Sequence, residues 1–166
     1  MKSKIASSSF LLFLSFLILA CNEKSTEPSD EITAKPVVRK SSINYNQISF
    51  NSSFPDTISL NSISKAYSNN YSEELRIKIL DYMRDEVIKL GEDINIFDSV
   101  LCITGCKRSV SGVYILPTYA ERAQYENQDV WIFQVTYGLA VPNFGRFKCF
   151  AISVANLDTL ALEQSR

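Results

Sequence analysis

The chain has 166 residues, 46% of them hydrophobic, with 17 Lys and Arg against 18 Asp and Glu, four Cys and no His. The missing imidazole excludes Ser-His-Asp and Cys-His nucleophile systems, histidine metal ligation and a histidine general base. The length allows one domain, and the near-neutral charge leaves no electrostatic footprint for nucleic acid.

The chain opens Met1-Lys2-Ser3-Lys4 and continues from Ile5 to Ala20 without a charge, dominated by Phe and Leu. A basic start before an apolar run that ends at a small residue reads as a cleaved secretion signal, and the run is shorter than the roughly 20 residues that span a bilayer. Ile18-Leu19-Ala20-Cys21 resembles the lipobox of bacterial lipoproteins. The resemblance implies cleavage between Ala20 and Cys21 and acylation of Cys21, and two or three acyl chains on one Cys hold a protein on a membrane where a single chain binds only marginally. Asn22 stands where an Asp retains many such lipoproteins in the inner membrane, which implies the outer membrane, facing the periplasm or the exterior. Loss of residues 1–20 removes Lys2 and Lys4, leaving 15 basic against 18 acidic residues and a net charge of −3. Arg39-Lys40 and Lys107-Arg108 are isolated basic pairs.

Residues 21–42 read as the lipidated Cys and a disordered linker, rich in Ser, Thr, Pro, Glu and Lys and too poor in apolar residues to offset its ordering entropy. Residues 43–166 read as a single α+β domain. Its first part, to Asn70, is rich in Ser and Asn, with Ile58 and Leu60 in extended alternation. Ser72 to Leu90 predicts the clearest element, a helix with Ser72 as N-cap, Glu73 and Glu74 in the first turn, Lys89 in the last and Gly91 beyond. Leu75, Ile79, Leu80, Tyr82, Met83, Val87 and Leu90 share one arc of it. Strands are expected at Ile94–Thr104, Val113–Tyr125 with Pro117 marking a bulge or an edge, Val130–Tyr137 and Arg146–Val154, with a hairpin turn at Glu126-Asn127-Gln128-Asp129. In Val130–Tyr137 the set Trp131, Phe133, Val135 and Tyr137 is expected to be the buried one.

These elements predict one long amphipathic helix packed on a four-stranded antiparallel meander. The order is similar to that of cystatin-like folds and of propeptide-type inhibitory modules. Val154-Ala155-Asn156-Leu157-Asp158-Thr159 resembles their closing Asp-x-Thr-Gly strand with the Gly absent. The resemblance implies an architecture and no activity.

With Cys21 acylated, Cys102, Cys106 and Cys149 remain in an oxidising compartment, an odd number. Cys102 with Cys106 across a turn at Thr104-Gly105 is the first candidate bridge, which leaves Cys149 a free thiol; a bridge from either to Cys149, or three free thiols, stay open. A redox pair or a three-thiolate metal site is the sharper alternative, although redox motifs place two residues rather than three between their cysteines. Glu121, Glu126 and Asp129 near the hairpin are candidates for acid-base work only if a pocket raises one of them. Tyr114, Tyr119, Tyr125, Trp131 and Tyr137 form a dense aromatic group, any exposed member of which is a candidate binding surface. Asp56-Thr57-Ile58, Asp98-Ser99-Val100 and Asp158-Thr159-Leu160 resemble the O-glycosylation signal of Bacteroidota envelope proteins, which implies Thr57, Ser99 and Thr159 as acceptors.

The reading is therefore a membrane-anchored envelope lipoprotein with a non-enzymatic binding or accessory domain. Its expected partner is a protein or other envelope component, with no cofactor, no metal and no nucleic acid. The alternatives are a small enzyme or thiol-redox protein using Cys102 and Cys106, and a passive structural lipoprotein.

Overall fold

The computed structural model describes residues 32, 34–53, 66–67, 71–108, 113–139, 144 and 146–164, which belong to a compact unit beginning at Ile32. In chain order they form β1 (Val37–Tyr45), α1 (Gln47–Ser53), α2 (Glu73–Lys89), α3 (Ile94–Ile103), β2 (Val113–Tyr125), β3 (Gln128–Leu139), β4 (Arg146–Ser153) and β5 (Thr159–Gln164). The strands make a five-stranded sheet in the order β1-β2-β3-β4-β5. β1 runs parallel to β2, and each later neighbour is antiparallel.

This mixed sheet with three helices replaces the expected four-stranded antiparallel meander under one helix. The spans of α2, β2, β3 and β4 lie where the residue pattern places them; the architecture differs at three other points. Ile94–Ile103 is a helix rather than the first strand. Asp93 caps it, its side chain accepting from the Asn95 N–H at 2.8 Å. Phe97, Val100 and Leu101, spaced for one helical face, are its buried residues. The alternation of Ile94 and Ile96 fits a strand equally well over so short a run. β1 begins at Val37, inside the stretch read as linker, and its pairing from Val37↔Tyr119 to Lys40↔Arg122 compensates for its polar side chains. β5 adds an edge strand in which Ala161 faces Ala151.

The predicted hairpin forms as a two-residue turn, with Glu126 at φ 48 and Asn127 at φ 65 between the paired Tyr125 and Gln128. Both positive φ values match the twist of the flanking strands. The register of β2 shifts between Pro117 and Tyr119, because proline cannot donate to the ladder. α2 ends as the sequence predicts: Gly91 at φ 73 donates to the Ile88 carbonyl while Glu92 donates to that of Val87.

The sheet is covered on both faces, so the single buried phase expected for β3 is only half of the observation. Trp131, Phe133 and Val135 pack with Leu80, Met83 and Val87 of α2 and Phe97, Val100 and Leu101 of α3. The alternate residues Val130 and Ile132 pack with Tyr45, Phe50, Tyr125, Cys149 and Ala151 on the other face. A third cluster joins Ile79 to Tyr67, Leu116 and Phe144. Arg76, buried on the inner side of α2, pairs with Glu73 and donates to the Cys106 carbonyl, tying α2 to the turn after α3. Asp98 of α3 in turn takes Arg84 and Lys107, each at 3.1 Å.

Candidate functional site

Two sites stand out from this scaffold. The first is a buried carboxylate. Glu121, fully buried in β2, lies beside Arg39 of β1 in the parallel register. Its Oε1 accepts from Arg39 Nε at 3.2 Å and pairs with Nη2 at 3.1 Å, while its Oε2 accepts from the hydroxyls of Tyr45 at 2.9 Å and Tyr119 at 2.5 Å. Arg39 also stands over the Tyr119 ring, 5.3 Å from its centroid. Burial pushes the Glu121 carboxyl up, but hydrogen bonds from Ser41, Tyr119 and Tyr45 and the Arg39 charge outweigh it and hold the group below the usual carboxylate range. Burial, reinforced by Glu121, pushes the Tyr45 phenol up to about 12 and raises that of Tyr119 as well. Every acceptor position faces a donor, so this cluster fastens β1 to β2 and offers no proton for chemistry.

The second is a cleft of about 420 Å³ where the C-terminal turn of α3 leaves the sheet. Ile115 of β2, Val135 of β3 and Phe150 of β4 line it from the sheet, with Ile103 and Gly105 on the α3 side. Gly105 at φ 81 ends α3, and a Cβ added there would meet the Ile115 Cδ1 at 3.5 Å, so the chain turns close over this floor. Arg108, Tyr137 and Lys148 also line the cleft, and no carboxylate does among the described residues. Lys148 Nζ stands 5.7 Å from the centroid of the Tyr137 ring. The apolar surface continues outward through Ile103, 42% exposed, and Leu162, 48% exposed, whose partner across the β4–β5 ladder is Phe150. Its size and apolar walls are those of small-molecule sites. A smaller concavity of about 250 Å³ beside Lys40, Arg122 and Asp129 differs in kind, because its charges are already matched: Lys40 and Arg122 with Glu92, and Arg122 with Asp129.

The residues singled out in the sequence fall in scattered places. Ala20, Cys21 and Thr57 lie outside the described residues. Cys102, Cys106 and Cys149 are free thiols, so the Cys102–Cys106 bridge is not formed. Cys102 is exposed in the last turn of α3, whereas Cys106 is buried in the cluster beneath the helices, and Cys149 belongs to the cluster on the opposite face of the sheet. Burial pushes the Cys106 thiol up to about 12 and raises that of Cys149, against the lowered thiol pKa that redox or metal chemistry uses. No three potential ligands gather around one point among the described residues.

Ser99 sits within α3 and donates to the Asn95 carbonyl at 2.9 Å, while Thr159 is exposed at the start of β5. Of the acids, Glu126 is exposed in its turn, and Asp129 is held below its ordinary value chiefly by the hydrogen bond from Arg122. Neither Glu121 nor Asp129 is raised for acid work. Of the aromatic group, Trp131 packs 5.0 Å from Phe97 between ring centroids, Tyr125 packs edge-on against Phe50, and Tyr114 packs edge-on against Tyr71. Tyr137 alone of the five lines the cleft.

The residues that sequence reasoning missed are Arg108, Lys148, Ile115 and Phe150. A signal existed for one of them: Lys148, with Arg146, shares the strand phase of Phe150 and Ile152, so cations occupy one end of a face whose other residues are apolar. The other residues needed the helical reading of 94–103, without which no end of α3 meets the sheet. No family model matches the chain, and comparison with curated proteins and with solved structures likewise gives no match.

Proposed function

We propose that the protein is a membrane-tethered, non-enzymatic binding module. Cys21 carries the lipid anchor at the outer membrane, and the domain holds its ligand in the cleft between α3 and the sheet. The observation that carries this reading is the cleft itself: an apolar cavity of about 420 Å³ with cations and an aromatic hydroxyl along its lining, beside charge clusters that are otherwise paired. A site of this kind binds by burying apolar surface and orients its ligand with a few polar groups. No helix among the described residues is long and apolar enough to cross a membrane, and the proposed attachment runs through Cys21. A thiol-redox role draws no support from Cys106, whose thiol is buried and held protonated.

Native mass spectrometry of the protein extracted from the envelope in which it is made tests both parts. The expected mass is that of the chain from Cys21 with its acyl groups, carrying a non-covalent small molecule that is lost when Val113, which also lines the cleft, is enlarged by Val113→Trp to fill it. An unacylated full-length mass overturns the anchor. Acylated protein without an adduct, or with one that Val113→Trp leaves in place, overturns the cleft as the ligand site and favours a passive structural lipoprotein.

A further inference from the structure

We infer that the ligand of the cleft is a single-chain anionic amphiphile, a free aliphatic carboxylate whose chain lies among Ile103, Ile115 and Phe150 and whose head meets Arg108 and Lys148. The inference rests on the cleft being the ligand site and adds the class of molecule that fills it. Volume is the first observation: about 420 Å³ lies toward the lower end of the roughly 300–1,000 Å³ of small-molecule sites and suits one short chain better than a two-tailed lipid.

The second is the lining, which is branched aliphatic and aromatic. Thr104 Oγ1 is already used on the Val100 carbonyl at 2.9 Å, so among the described lining residues the polar side-chain groups left to meet a ligand are the two cations and the Tyr137 hydroxyl. The third is charge. Lys40, Arg84, Lys107 and Arg122 each have a carboxylate within about 3.2 Å, whereas Arg108 and Lys148, like Lys35 and Arg146, form no ion pair with the described residues, and of these four only Arg108 and Lys148 line the cleft. Lys148 is steered by the Tyr137 ring without being neutralised. The mature chain, at −3, has no general attraction for anions, so an anion bound here is bound by these two side chains.

The acylated full chain in nanodiscs of zwitterionic lipid is photolabelled with a diazirine analogue of decanoate, and the labelled peptides are mapped by mass. Label is expected within residues 103–108, 113–115, 135–137 and 148–150, displaced by decanoate, with the analogue of decanol labelling the same segments about fivefold less. Each methylene removed from the competitor weakens displacement about fourfold. Arg108→Gln with Lys148→Gln lowers carboxylate labelling to the alcohol level, and Arg108→Lys with Lys148→Arg, which keeps both charges, restores it. Equal labelling of the cleft by carboxylate and alcohol, unchanged in the neutralised variant, overturns the anionic head and leaves the cleft as the ligand site. Absence of label from the cleft, or label spread evenly along the chain, overturns both.

Discussion

Glu121→Gln removes the buried charge that fastens β1 to β2 while keeping the side chain's volume. In the wild type the contacts to the carboxylate are charge-assisted: Arg39 on one oxygen, Tyr45 and Tyr119 on the other, with a further hydrogen bond from Ser41. Arg39 cannot accept a hydrogen bond, so the Gln carbonyl stays with it and the amide N–H₂ turns to the two tyrosines, whose hydroxyls must reverse. A hydrogen bond to a charged group is worth about 1 kcal/mol more than a neutral one, so the contacts together lose about 3 kcal/mol. Because the Arg39 side chain is 49% exposed, its share is discounted for solvent screening, leaving about 2 kcal/mol.

The loss depends on pH. The native state holds the Glu121 carboxyl below its ordinary value, so its stabilisation is present above the unfolded value near 4.3 and fades as pH falls through the native one. Urea unfolding of the mature chain carrying Cys21→Ser, at neutral pH and again near pH 3, measures both effects. The expected result is a variant about 2 kcal/mol less stable at neutral pH, with the gap narrowing in acid. A gap within about 0.5 kcal/mol at neutral pH, or one that persists undiminished in acid, refutes the account of Glu121 as the fastening of β1.

Three further outcomes are expected. In the same Cys21→Ser chain a thiol reagent modifies Cys102 at once and reaches Cys106 and Cys149 only on unfolding; thiols that stay unreactive in urea would reveal a disulfide. Phe97→Ala, which removes the ring between Trp131 and Phe133, costs about 3–5 kcal/mol and shifts Trp131 emission, whereas Cys102→Ala on the exposed side of α3 stays within about 0.5 kcal/mol; equal effects at the two positions would contradict the helix. Gly91→Ala meets no atom within 4 Å yet forces an L side chain to φ 73, so it costs about 1 kcal/mol in urea unfolding, and a neutral substitution would show that the left-handed cap of α2 is not held.

What the sequence reveals and what it hides follow from where each stabilising force resides. α2 is legible because its caps, first-turn acids and apolar arc are local, and the β2–β3 hairpin is legible because Pro117 and the Glu126-Asn127 turn are local. β1 is hidden because its residues are polar and its stability comes from a parallel partner some eighty residues away, through Glu121. α3 is hidden because a ten-residue, largely apolar segment is too short to separate the two periods, and Asp93 as its cap decides the matter only in context. The misplacement of α3 carried the site with it. Cys102 and Cys106 look pairable along a strand and a turn, but Cys102 is exposed on α3 while Cys106, in the turn that follows, is buried, and the cleft exists only because the end of α3 sits over Ile115 and Val135. Leu162 and Ile103, exposed apolar residues, become meaningful only once β5 and α3 are in place.

The central claim, that the cleft between α3 and the sheet is the ligand site, is tested most directly by a methyl-resolved NMR titration of the mature chain with cyclohexanol, a small neutral apolar probe. The account predicts saturable shifts at Ile103, Val113 and Ile115 together, none at Ile79 or Ile132 in the closed clusters, and loss of the response in Val113→Trp. Shifts scattered over the exposed Ile48, Ile77 and Ile88 with none at Ile103 and Ile115 would contradict it.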